Sequence, residues 1–112
     1  MRVKVTTSPF GSTARTSVLL ALSLLEESYP RELARVLDRP LSGVQRALRG
    51  LEADGVIAAR SAGRTRLFRL DPRYFARAEL AALLLRLSEA EPELRQRVEA
   101  LRRRPRRTGK PL

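Results

Sequence analysis

The sequence predicts a mainly α fold with one small β-hairpin, in the order α-α-α-β-β-α-α. Apolar residues recur at helical spacing in five segments, and two short strand-like segments flank Gly63. The 112 residues fit one domain with a modest hydrophobic core, and the 43% hydrophobic content is ordinary for a globular protein. We divide the chain into an N-terminal arm (1–11), a core of three helices and the hairpin (12–72), two C-terminal helices (73–104) and a disordered basic tail (105–112).

The first helix is predicted from Ser12 or Thr13 to about Glu27. Its Leu-rich stretch 18–25 superficially resembles a signal peptide, but Glu26 and Glu27 stand where a small-residue cleavage site should lie. The stretch is also too short to span a bilayer. We therefore expect a buried helix, no membrane association and a cytoplasmic protein.

Two further helices are separated by a break at residues 38–40. The second begins near Pro30, where a first-turn proline is tolerated, and turns three apolar side chains inward: Leu33, Val36 and Leu37. The third, 41–53, carries a buried stripe at steps of three and four, formed by Leu41, Val44, Leu48 and Leu51. Its outward face then holds Ser42, Gln45, Arg46 and Arg49.

Gly55 ends the third helix, in the position favoured just past a C-terminus. Strands are predicted over 56–60 and 65–70, joined by a loop longer than two residues that includes Gly63. Asp71-Pro72 opens a Leu-rich helix over 73–88, and Pro92 opens a last one over 93–104.

The charge balance points to a polyanionic partner. Lys and Arg total 23 against 12 Asp and Glu, for a net charge of +11. Nucleic acid is the first expectation and an anionic membrane surface the second, while a merely solvated arginine-rich surface is the plain alternative. Residues 31–70 alone hold nine Arg against four acids.

Enzymatic and metal chemistry are disfavoured. The sequence has no cysteine and no histidine, so it lacks disulfides, thiolate ligands and the commonest general base. It also has no Gly-rich phosphate loop and no nucleophile with a base nearby. We expect no enzyme activity, no cofactor and no metal site.

Two short helices followed by a basic hairpin are the layout of a winged helix-turn-helix. The chain resembles the ArsR-like group of small bacterial and archaeal regulators over about residues 9–75. The resemblance depends on these segments: Phe10-Gly11-Ser12 with Arg15, Glu32-Leu33-Ala34, Ser42 to Arg46, Leu48, Leu51-Glu52, Gly55-Val56-Ile57, Gly63-Arg64, Phe68 and Leu70. It implies a transcriptional regulator that binds double-stranded DNA. The chain departs from the group in lacking metal-sensing Cys and His clusters, in having Pro40 at the usual Ser or Thr cap, and in having Ala47 at a frequently polar recognition-face position.

The outward face of the third helix is the expected base-reading element. Gln45 suits bidentate pairing with adenine, and Arg46 suits the O6 and N7 atoms of guanine. Ser42 lies in the first turn, near a phosphate or a base edge, and Arg49 is a further candidate. An exposed helix face is polar in any case, but this one carries two arginines and no acid.

The hairpin is the expected wing, with DNA contacts predicted at Arg60, Arg64, Thr65 and Arg66. Arg64 and Arg66 are favoured because they flank the tip beyond the apolar anchor Phe68. Arg60 and Arg69 have an alternative role, since charges on an edge strand also discourage aggregation.

The C-terminal Leu-rich helix predicts a homodimer. It is apolar nearly all round, so more than one side needs a cover. We assign the dimer interface to Leu20, Leu24, Leu80, Leu83, Leu84 and Leu87, with a second apolar face at Ala78, Ala81 and Leu85. The alternative is a thick monomer core with the last helix folded over it.

The leading function is sequence-specific binding of double-stranded DNA by a dimeric transcriptional regulator. A winged-helix protein-interaction adaptor and a non-specific nucleic-acid-binding protein are the alternatives. Nothing in the sequence indicates an operator, a small-molecule effector, or repression rather than activation.

Overall fold

A computed structural model describes Val5 and residues 9–103. The described elements are α1 (Thr13–Leu25), α2 (Pro30–Leu37), α3 (Leu41–Ala53), β1 (Ile57–Ala62), β2 (Thr65–Leu70), α4 (Arg77–Ser88) and α5 (Pro92–Arg103). The order α-α-α-β-β-α-α is the predicted one and is confirmed. The basic tail and most of the N-terminal arm lie outside the described residues.

Helix α1 is the centre of the fold. The Ser12 hydroxyl caps it by accepting a hydrogen bond from the backbone N–H of Arg15 at 3.2 Å. Every residue from 16 to 22 is buried, because α2, α3, α4, α5 and β2 all pack around this helix. The apolar excess of α1 is therefore covered by its own chain.

Helices α2 and α3 are joined by the short turn 38–40, in which Asp38 has a φ of 52°. The three predicted inward residues of α2 are buried, and α3 has the predicted bounds. Ala47 is also buried, so it belongs to the core side of α3 and not to the recognition face on which the sequence comparison placed it. Leu41 is only half-buried. Pro40 precedes α3 without a side-chain cap.

The hairpin closes more tightly than the sequence predicts. Its register runs from Ile57 opposite Leu70 to Ala62 opposite Thr65, which leaves only Gly63 and Arg64 in the turn. The expected longer loop is wrong, because Gly63 at φ 65° allows a two-residue turn of the type with glycine first. Ser28 pairs with Phe68 through two backbone hydrogen bonds of 2.7 and 3.0 Å and so extends the hairpin with a short third segment.

Helix α4 begins at Arg77, four residues later than predicted. The Asp71 carboxylate accepts a hydrogen bond from the backbone N–H of Arg73 at 2.9 Å and holds the preceding residues in a turn. This bond lowers the pKa of Asp71 below its ordinary value.

Helix α5 packs on α1 and α2 of its own chain through Leu94 and Val98. The Arg97 guanidinium donates hydrogen bonds to the carbonyls of Val36 and Arg35, at 2.7 and 2.9 Å, and so caps the end of α2. Within the described residues, no helix is long and apolar enough to cross a membrane.

Candidate nucleic-acid interface

The outward face of α3 is fully presented to solvent. Ser42, Gln45, Arg46 and Arg49 are all exposed, while the opposite side of the helix is buried against the core. Among the described residues, neither Arg46 nor Arg49 has an ion-pair partner within 4.0 Å. These two guanidinium groups are therefore available to an external acceptor.

A groove runs between the start of α2, the outer side of α3 and the hairpin. We call it the wing groove; its volume is about 500 Å³. Its lining includes three arginines from three different elements, Arg31 of α2, Arg49 of α3 and Arg64 of the hairpin turn. Gln45 and Thr65 also line it. Sequence reasoning missed Arg31, because only the packing of α2 beside the hairpin brings it to this groove.

The two faces of the hairpin hold different arginines, since side chains alternate along a strand. Arg66 shares a face with Phe68 and lines the wing groove. Its Nη2 lies 2.8 Å from Oε2 of Glu52, and its guanidinium carbon lies 5.2 Å from the centroid of the Phe68 ring. The predicted wing contact Arg66 is thus held by an acid of α3.

Arg60 points to the other face of the hairpin. Its Nε and Nη2 donate to the two carboxylate oxygens of Glu27 at 2.9 and 3.0 Å. The hydrogen bond from Arg60 lowers the pKa of Glu27 below its ordinary value. Of the four wing residues named from the sequence, Arg64 and Thr65 are exposed at the tip without such a partner among the described residues.

One side-chain contact fixes the end of α3 and another fixes the start of α2. Arg15 of α1 crosses over Gly50 and pairs with Asp54 at 3.2 Å. The Ser28 hydroxyl donates to the buried carboxylate of Glu32 at 2.6 Å, which ties the start of α2 to the third segment of the hairpin. The first contact connects α3 to α1, and the second connects α2 to the hairpin.

The residues assigned to a dimer interface do not share one surface. Leu20 and Leu84 are completely buried within the chain, so a second copy has no access to them. Leu24, Leu80 and Leu87 are half-buried against the same core, and only Leu83 is exposed. The large apolar side chains that α4 and its lead-in do present to solvent are Phe75 (92% exposed), Leu83 (44%) and Leu85 (55%). The helical stripe in the sequence therefore marks mainly the core side of α4.

A helix presented beside a basic hairpin, on a three-helix core, defines the fold as a winged helix-turn-helix. It is similar to the solved structures of two variants of Lactococcus lactis ZitR. The single mutant matches with a TM-score of 0.58 and 18% identity, over 90% of this chain and 69% of that chain. The double mutant matches with a TM-score of 0.57, at the same identity and coverage.

At this identity the likeness concerns the fold. No protein-family model and no curated protein matches the sequence. Membership of the ArsR-like group therefore stays a prediction.

Proposed function

We propose that this chain is a cytoplasmic, dimeric transcriptional regulator that binds double-stranded DNA sequence-specifically. The observation that supports the proposal most is the exposed face of α3, on which Gln45 points to solvent and Arg46 has no ion-pair partner among the described residues. An α-helix fits the major groove, where Gln reads adenine and Arg reads guanine. We assign these two residues to base contacts.

The wing groove supplies the phosphate contacts in this proposal. Arg31, Arg49 and Arg64 line it from three sides, so one DNA strand can meet a cation from each element. Ser42 and Thr65 add exposed hydroxyl donors. Each phosphate contact that is lost should reduce the slope of log affinity against log salt by about 0.9. We expect this reduction for Arg64→Ala on every DNA sequence.

Arg60 takes a different role from the one predicted. Its bidentate pair with Glu27, on the face away from Phe68, orients the hairpin. It is a positioning residue in this proposal, and Arg60→Ala should leave the salt slope nearly unchanged.

The dimer uses the outer side of α4 and its lead-in, with Phe75 and Leu85 as the main apolar contacts. Exposed apolar area of this kind is stabilised when a second copy covers it. A two-fold dimer places its recognition helices about 34 Å apart, in successive major grooves. Sedimentation equilibrium should give a dimer at micromolar concentration, and Leu85→Glu should shift it to monomer. A wild-type monomer would refute this part of the proposal.

Selection from fragmented genomic DNA tests the function as a whole. Retained fragments are sequenced, and one is measured against a scrambled duplex in the presence of excess competitor DNA. A specific regulator keeps the selected fragment, whereas a non-specific nucleic-acid binder loses both duplexes to the competitor. A protein-interaction adaptor retains neither duplex even without competitor.

A further inference from the structure

One acidic side chain lies within the otherwise basic wing groove. Glu52, in the last turn of α3, is the single acid among its described lining residues, which include four arginines. Its side chain is 34% exposed, so its charge faces the space that the proposed function gives to a DNA strand. A carboxylate in this groove repels phosphate, so the presence of Glu52 at a proposed DNA-binding surface needs a reason.

The partner of Glu52 is itself a predicted DNA contact. Arg66 Nη2 lies 2.8 Å from Glu52 Oε2, and Phe68 supports the guanidinium group from below the groove at 5.2 Å. A guanidinium group bound to a carboxylate has fewer N–H donors left for a phosphate. Glu52 and a DNA phosphate therefore compete for the same cation.

We propose that Glu52 is a negative determinant of DNA affinity, which acts by holding Arg66 away from the phosphates. This inference rests on the proposed function. It assigns Glu52 to the sequence-independent part of binding, because the phosphate contacts and not the base contacts depend on the wing arginines. A weaker sequence-independent affinity keeps the protein from occupying arbitrary DNA.

The test is Glu52→Gln, which removes the charge and keeps the shape of the side chain. We expect it to bind the selected duplex and a scrambled duplex about 1.4- to 5-fold more tightly at low salt, the range that exposed ion pairs span. The salt slope should steepen by about 0.9, because Arg66 gains one phosphate. The double variant with Glu52→Gln and Arg66→Gln should not show this steeper salt slope.

Glu27→Gln is the matched control. It makes the same charge change and also releases a wing arginine, but Arg60 lies on the opposite face of the hairpin. It should leave the salt slope nearly unchanged. Thermal melting followed by circular dichroism compares the folded fraction of both variants. If Glu52→Gln is unfolded, Glu52→Asp is measured instead. Glu52→Asp keeps the charge and should show no gain in DNA affinity.

Three results would overturn the inference. Weaker binding by Glu52→Gln on both duplexes would mean that the ion pair only supports the wing. Loss confined to the selected duplex would mean that Glu52 itself reads a base, as a carboxylate can do with cytosine. An equal gain in Glu27→Gln would reduce the effect to net charge. If wild-type protein binds no duplex, the proposed function fails as well, whereas each of the three results leaves it standing.

Discussion

Substitution of Gly50 by alanine has two opposing effects on stability: the loss of an ion pair and a gain in helix propensity. A Cβ at this position would lie 2.3 Å from Nη2 of Arg15, the side chain that crosses α3 to reach Asp54. The obstructed atom is the end of a flexible side chain, so we expect Arg15 to swing away and the ion pair to be lost. The backbone of α3 should stay in place.

The sizes of these two effects set the expected change in the free energy of unfolding for Gly50→Ala. Arg15 and Asp54 are 38% and 58% exposed, and an exposed pair contributes about 0.2–1 kcal/mol. Alanine in a helix interior is favoured over glycine by about 0.8–1.0 kcal/mol. The change in the free energy of unfolding should therefore lie between about −0.2 and about +0.8 kcal/mol, which is a gain over most of this range. In an Arg15→Ala background, where no ion pair remains to be lost, the full gain of about 0.8–1.0 kcal/mol should appear.

Urea unfolding followed by circular dichroism measures both values. Gly43→Ala is the control, because a Cβ there meets nothing within 4 Å and its effect should not depend on Arg15. A destabilisation of more than about 1 kcal/mol by Gly50→Ala would show that α3 itself is displaced. Equal effects in the two backgrounds would show that Gly50 and Arg15 are not coupled.

Two further predictions concern the contacts that fix the hairpin and α2. Arg97→Ala leaves two carbonyls at the end of α2 without their charged donor and should lower the free energy of unfolding in urea by about 1–2 kcal/mol. Arg103→Ala, which like Arg97 is on α5, should lower it little, and equal losses would contradict the capping role of Arg97. The pKa of Glu27 is lowered in the folded state by its hydrogen bond from Arg60, so its contribution to stability is present above the ordinary carboxyl range and is lost as the pH falls through the folded pKa. Glu27→Gln should therefore be less stable than wild type at pH 7 and approach it in acid, and a difference that persists at low pH would contradict this origin.

Periodicity in the sequence predicts most of the local structure. The bounds of α3 and the inward side chains of α2 follow from residues three and four apart, and the hairpin follows from the segments around Gly63. The longer hairpin turn predicted from the sequence is wrong, because the length of the turn depends on the conformation of Gly63 and not on composition.

What the sequence could not supply is the partner of each side chain. Glu27 and Arg60 are 33 residues apart in the sequence, and Glu52 and Arg66 are 14 apart. The local sequence therefore does not show that Arg60 and Arg66 are ion-paired whereas Arg64 is not, among the described residues. In the same way, apolar spacing marks Leu20 as buried without saying by what. Four other helices of the same chain surround α1, and this removes Leu20 from any surface.

The most direct test of the central claim is the effect of Arg46→Ala on discrimination between DNA sequences. Fluorescence anisotropy gives the affinity for the selected duplex and for a scrambled duplex at one salt concentration, with Arg103→Ala on α5 as the charge-matched control. The account predicts a loss of about 1–3 kcal/mol on the selected duplex and almost none on the scrambled one, with Arg103→Ala showing no such difference. Equal losses on the two duplexes would contradict base reading by α3.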